Sequence, residues 1–403
     1  MGWAAASEGL GRHWGAGHAP GAVRLPRVRC HLQAMPLGRR AAGDYLGIVG
    51  EEQIERLRAA AEPLAGARVL HLAAAGSRVR SQELLPSLLS LYEDLGIATE
   101  FKVLAGERPL WRLTRQLEDG LQGGETAISD DTWGEYLEDS PAPVGYHAVV
   151  AHGPGPLAAA TKASAACVWR CELDCSNADP GAWSRLSALA ESCDAVAMPA
   201  ISYAPPGVTV HELPEAIDPL APGSIDLPVK LAGSMVRSLG VDLGRPSCFQ
   251  ARPFDTWQDP HEVIDAFTDA GIEGLQLVLA GDPQNDDVEA WRLLREVSDY
   301  AETRDDLLIL RGVGDVELNA LRALARAGIT SALARGSELD NLETLWKRTP
   351  VVPADPERLA ELINDPGLAI ELGTEGRERV RDGHLITLLA ENELRLLASF
   401  QSA

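Results

Sequence analysis

Few side chains in this chain stand in an arrangement that could do chemistry, and the cysteines come first. Cys167, Cys171 and Cys175 recur at a spacing that would set three thiols on one helical face, as a metal or cluster site requires. Their context, Ala-Cys-Val-Trp-Arg-Cys-Glu-Leu-Asp-Cys, reads better as a strand running into a loop, and no histidine lies nearby, so no metal is expected. His152 follows the strand candidate 147–151. A histidine at the C-terminal end of a parallel strand stands where α/β sheets hold ligands; a satisfied edge histidine is the alternative. The nearest approach to a dinucleotide fingerprint, His152-Gly153-Pro154-Gly155-Pro156, is spoiled by its prolines, which argues against nicotinamide or flavin chemistry.

The elements that must position these residues alternate. Short apolar runs predict strands at 68–74, 100–104, 147–151, 166–172 and 194–198, with helices at 79–95 and 180–192 between them. The segment Tyr203–Pro222, with five prolines, reads as a hinge. The alternation then restarts, with strands at 247–251, 276–280, 307–310 and near Val351, and helices at 260–269, 288–301, 315–327 and 340–347. An amphipathic helix over 387–399 ends the chain. This is the pattern of two doubly wound parallel sheets in tandem.

Composition narrows the partners. At 403 residues two domains are expected. No run approaches the ~18–20 apolar residues of a membrane helix. With 36 Lys+Arg against 59 Asp+Glu, the net charge of −23 repels phosphate backbones and anionic lipids, so neither nucleic acid nor membrane is an expected partner. Residues 1–40, with six arginines and one acid, have no helical or strand period and no secretory signal, and are expected to be a disordered basic arm, or to precede a true start at Met35. The six cysteines then read as reduced thiols of a cytoplasmic protein.

Several segments, taken in order, carry a resemblance. They are Gly43-Asp44-Tyr45 with Gly50-Glu51-Glu52, Trp169-Arg170-Cys171-Glu172-Leu173-Asp174, Phe254-Asp255-Thr256-Trp257-Gln258-Asp259-Pro260, Gly312-Val313-Gly314-Asp315, Glu343-Thr344-Leu345-Trp346-Lys347 and His384-Leu385-Ile386-Thr387. Together they resemble the trehalose synthase (glycosyltransferring) and trehalose phosphorylase group of retaining GT-B glycosyltransferases, from about Asp44 to Leu397. The resemblance implies a GT-B fold of two Rossmann-like domains facing a central cleft. The N-terminal lobe, 41–215, would take the acceptor and the C-terminal lobe, 216–383, the nucleotide sugar, while residues 384–403 form a helix crossing back to the first lobe. It also implies nucleotide sugar and glucose as small-molecule partners, trehalose as product, and no metal or other cofactor.

Site residues follow by the same resemblance. On the acceptor side it points to His152 as the catalytic candidate, with Trp169, Arg170 and Glu172 beside it; Gly153 and Glu172 depart from the family's Asp and His. On the donor side, Gln258 stands at a phosphate-binding lysine. Arg252 is displaced by one residue from the family's arginine, and a one-residue shift in a strand turns a side chain to the other face unless a bulge corrects it. Arg335-Gly336-Ser337 replaces a Glu-Gly-Phe turn that contacts the donor sugar, and Glu343 matches the ribose-binding Glu, with a solvated helical glutamate as the alternative. Ala73-Ala74-Ala75-Gly76-Ser77-Arg78 replaces a glycine-rich phosphate loop, and a Gly-Gly-containing segment is missing after Val352.

Each lost charge-stabilising contact costs roughly 3–4 kcal/mol of transition-state stabilisation. The expectation is therefore a two-lobed protein with weak or no transfer activity. It would act as a regulatory or scaffolding partner, or as a nucleotide or sugar binder, associating with like or unlike chains. The alternative is an active retaining glycosyltransferase making trehalose or a related glucoside, in which Arg252, Arg335 and Arg78 rebuild the phosphate clamp.

Overall fold

The apolar runs become strands buried on both faces. In Arg68–Ala74 every residue after Arg68 is buried, and Gln276–Ala280 is buried throughout, as parallel strands covered by helices on both sides must be. The computed structural model describes residues 29–254, 258–283, 287–331 and 338–401.

Seven strands make the first sheet: β1 (Cys30–Met35), β2 (Arg68–Ala74), β3 (Ala98–Gly106), β4 (Ala148–His152), β5 (Ala166–Arg170), β6 (Ala195–Met198) and β7 (His211–Glu212). Their order is β1-β3-β2-β4-β5-β6-β7, all parallel except β1. The second sheet comprises β8 (Ser247–Ala251), β9 (Gln276–Ala280), β10 (Leu307–Leu310), β11 (Ala327–Thr330) and β12 (Val351–Pro353), in the parallel order β10-β9-β8-β11-β12. Each sheet has an apolar layer on either face. Four helices start at an Asp-Pro pair, at Pro180, Pro260, Pro356 and Pro366, with the aspartate accepting from free N–H groups of the first turn.

Several elements differ from the sequence reading: β7 is an edge strand within the expected hinge, and the helices Pro356–Asn364 and Pro366–Gly383 are not among the expected ones. Cys30–Met35, in the stretch expected to be an unstructured arm, pairs antiparallel with β3 from Cys30 opposite Gly106 to Met35 opposite Phe101. An edge strand held by backbone bonds needs little side-chain signal. The helix expected to reach Ala327 stops at Leu324, and Ala327–Thr330 is a central strand between β8 and β12. Gly328 explains the weak signal: a Cβ there would lie 3.0 Å from Thr344 Cγ2, so the strand trades β-propensity for close contact with the Leu339–Trp346 helix.

The last helix, Ile386–Ser399, packs Ile386, Leu389, Leu394 and Leu397 into the core of the first sheet with Ile54 and Leu57. The return is pinned at Ile217, whose N–H donates to His384 O at 2.9 Å and whose carbonyl accepts from Ile386 N at 2.9 Å. Among the described residues no helix is long and apolar enough to cross a membrane.

Candidate functional site

The C-terminal ends of β8, β9 and β10 face the loop that follows β2, and a cavity of about 390 Å³ lies between them, lined among others by Arg78, Arg80, Glu83, Arg252, Asp282 and Asp315. Arg252 owes its place there to backbone geometry. It leaves β8 in the left-handed region, with φ +51°, while its N–H still donates to Ala280 O at 2.8 Å. A Cβ on Gly281 would sit 2.9 Å from Arg252 Cα, so the turn depends on that glycine. The turn does what a bulge would have done and swings the guanidinium into the cleft. A non-glycine residue held left-handed costs roughly 1–3 kcal/mol.

Once in the cleft, Arg252 is loosely paired. Its nitrogens lie 3.7 Å from Glu83 and 3.8 Å from each of Asp315 and Asp340. Behind it the charges are tightly paired. Asp340 and Glu343, one turn apart on the Leu339–Trp346 helix, each lie 2.6 Å from Arg322 Nη2. From the opposite lobe Arg80 reaches Asp340 at 2.8 Å and Glu343 at 4.0 Å, and holds Glu83 at 2.8 Å. Burial works to raise the Asp340 carboxyl, but Arg80, Arg322 and Arg252 outweigh it and hold it down at about 2. Glu343 goes the other way: burial raises it and the arginines only partly offset that. The loop is tied down at its base by Glu118, which accepts from Ser77 Oγ and from Arg78 N; burial pushes its carboxyl up to about 7 despite those donors.

The other expected site residues divide. Gln258 accepts from Gln250 Nε2 at 3.2 Å. Arg335, Gly336 and Ser337, like Asp255, Thr256 and Trp257, lie outside the described residues. Glu343 belongs to the paired charges behind Arg252 and is not a solvated helical side chain. The acceptor-side residues are not on an open wall. His152 is fully buried, its Nε2 3.0 Å from His71 Nδ1 and its Nδ1 3.4 Å from Glu172. Arg170 pairs with Glu172 at 3.2 Å and with Glu393 of the last helix at 2.9 Å, and Tyr92 donates to Glu393 at 2.8 Å. Trp169 points to the other face of β5, into the apolar core, with its indole N–H on Gly153 O at 3.0 Å.

That buried network is a polar pin between the last helix and the first sheet. Burial holds the His71 imidazole down to about 3, so it is neutral near pH 7. Burial also opposes the Glu393 charge, which is nevertheless kept ionised; with His71 neutral, Arg170 supplies the compensating cation. Four of the six cysteines lie in two pairs, Cys167 with Cys193 at 3.1 Å and Cys171 with Cys175 at 3.7 Å.

Sequence reasoning missed Arg80, Arg322 and Asp340 in the cleft, and His71 and Glu393 in the pin. Signals existed for three of them. Asp340 precedes Glu343 by three residues, on the same helical face. His71 interrupts an apolar strand, and Glu393 lies on the buried face of an amphipathic helix.

Two parallel-sheet lobes facing a cleft, with a terminal helix returned to the first, define the chain as a GT-B glycosyltransferase-type protein. Sucrose-phosphate synthase of Thermosynechococcus elongatus superposes with a TM-score of 0.60 at 14% identity, covering 83% of this chain and 99% of that one. An Anabaena protein solved with UDP and glucose gives 0.58 at 12%, covering 83% and 100%. Residues 81–205 match the family described as trehalose synthase, N-terminal domain. Trehalose synthase of Rubrobacter xylanophilus is 30% identical over 91% of this chain and 99% of its own length. The chain belongs to the trehalose synthase family.

Proposed function

We propose that the chain is a working retaining glycosyltransferase, which takes glucose from a nucleotide-activated donor in the cleft and passes it to a sugar acceptor, with glucose, giving trehalose, as the first candidate. The observation that carries this reading is Arg252. Its strained turn aims a guanidinium into the cleft, and its carboxylate neighbours stand at 3.7–3.8 Å, beyond hydrogen-bond length. It is thus the cation most available to a phosphate, which guanidinium binds in a bidentate fork. In the transfer the C–O bond from glucose to the diphosphate breaks and one forms to the acceptor hydroxyl. The hydroxyl proton passes to the departing phosphate oxygen, and the charge developing there is what Arg252 would stabilise. The family supports the reaction class, and the Anabaena neighbour, solved with UDP and glucose, supports a UDP-type donor.

A second reading rests on Gln258. An uncharged side chain, already bonded to Gln250, stands where the resemblance implies a lysine, which favours a protein that binds donor and turns it over poorly. Calorimetric titration with UDP-, ADP- and GDP-glucose, followed by nucleoside diphosphate release with and without glucose, separates the two. The working enzyme should release product faster than ~0.1 s⁻¹, and Arg252→Gln should lose ~10²–10³ of that rate. Binding without turnover would replace the first reading with the second. A folded protein that binds none of the donors would overturn both.

A further inference from the structure

The cleft does not end at the donor cavity. Arg115 crosses between lobes to Asp287 at 3.2 Å; Asp287 lines the first cavity, and its neighbour Val288 lines a second of about 730 Å³. This second cavity lies between the first turns of the Arg108–Leu121 helix of one lobe and the Val288–Ala301 helix of the other. Half-buried Trp111 and Trp291 line its walls with Val288, which is 77% exposed; each indole already carries a guanidinium over its ring, Arg115 at 3.7 Å on Trp111 and Arg311 at 5.1 Å on Trp291.

Around those walls stand Arg108, Arg112, Arg292 and Arg295, against one lining carboxylate, Glu107. In a chain of net charge −23 this is an inverted patch. Arg108 and Arg112 are one helical turn apart, as are Arg292 and Arg295, so like charges are stacked on both walls. Arg292 has Glu289 at 3.7 Å, but among the described residues Arg108, Arg112 and Arg295 have no ion-pair partner. The contrast with the donor cleft is sharp, because there Arg80 and Arg322 are held by carboxylates at 2.6–2.8 Å.

The geometry points to a second ligand site here, for a small phosphorylated ring compound: a hexose phosphate or a nucleotide. Unpaired guanidiniums on two facing walls suit a phosphate. The indole walls suit the apolar face of a sugar or base, and the volume falls within the ~300–1,000 Å³ of small-molecule pockets. Inorganic phosphate would engage the guanidiniums alone, and a macromolecular surface would not need the concavity. Because the walls come from both lobes, a bound ligand favours the closed cleft. The site does not depend on which donor the first cavity takes.

The test is calorimetric titration of the full chain, at matched ionic strength, with glucose 6-phosphate, AMP, inorganic phosphate and glucose. It compares the wild type, Arg112→Gln/Arg295→Gln and Arg252→Gln. Glucose 6-phosphate, AMP or both should bind wild type and Arg252→Gln alike and weaken at least roughly tenfold in the double variant; whichever binds tighter names the source. Arg112 and Arg295 are exposed, and an unchanged unfolding midpoint for the double variant shows that its fold is intact. The site is overturned if no phosphorylated probe binds, if inorganic phosphate binds as tightly as both ring compounds, or if binding is lost in Arg252→Gln and kept in the double variant. Titration of wild type with UDP-glucose in the same series reads the donor reading separately.

Discussion

Arg80 and Asp340 lie on opposite lobes, 260 positions apart by number and 2.8 Å apart in space, and their coupling can be measured. Asp340 is held at about 2 against an ordinary 3.8, and the first-named attraction is Arg80. That depression is worth on the order of 2 kcal/mol net of burial. It is shared with Arg322 and Arg252, so Arg80's part is on the order of 1 kcal/mol. Arg80→Gln, Asp340→Asn and the double variant form a cycle in which the two changes should fall short of additivity by about 1–2 kcal/mol in urea unfolding near pH 7. The sign with pH is fixed. A carboxyl whose folded pKa is depressed contributes fully above its unfolded value, and the contribution is lost as pH falls through the folded one. The coupling should therefore be flat from pH 5 to 8 and shrink between about 3.8 and 2. Hydrogen exchange in the loop 75–84 should quicken in Arg80→Gln, since its anchor across the cleft is gone. Additivity within 0.5 kcal/mol, or coupling that does not weaken in acid, would refute the view that this pair holds the lobes together.

Three further outcomes are expected. Arg252→Gly should raise the unfolding free energy by about 1 kcal/mol by relieving the left-handed turn while costing donor turnover; a variant less stable than wild type would mean the turn is not strained. Glu118→Gln should be neutral at pH 4 and stabilising by up to ~3 kcal/mol at pH 8, because a carboxyl raised to about 7 loses its contribution as pH climbs from 4.5 through 7; a flat difference between pH 4 and pH 8 counts against it. Glu393→Gln should cost about 3–5 kcal/mol by leaving Arg170 without its closest buried anion, read as a lowered urea midpoint, with a change under 1 kcal/mol refuting the pin.

The alternation was legible because its signal is local. β2, β8, β9 and β10 fall where apolar runs of strand length stand between helical periods, and the Asp-Pro pairs mark helix starts by cap chemistry that needs no partner elsewhere. β11 was hidden because four residues containing a glycine carry no pattern of their own; pairing with β8 and β12 makes them a strand. Glu343 could be picked out by its motif, whereas the cations that hold it could not. Arg322 looks like any helical arginine until Asp340 and Glu343 are packed against it.

By itself the sequence determined the α/β class, the two parallel sheets and the family, since all three are written in periods and motifs that repeat over short spans. The tertiary structure decided where the chemistry points. It turned Arg252 into the cleft through one left-handed residue allowed by Gly281, and it brought Arg80 across to Asp340. It also folded His152 away beneath the last helix with His71, Arg170, Glu172 and Glu393. The reason is physical: hydrophobic period is a property of neighbouring residues, whereas the direction and partner of a charge depend on strand order and on crossovers that join residues hundreds of positions apart.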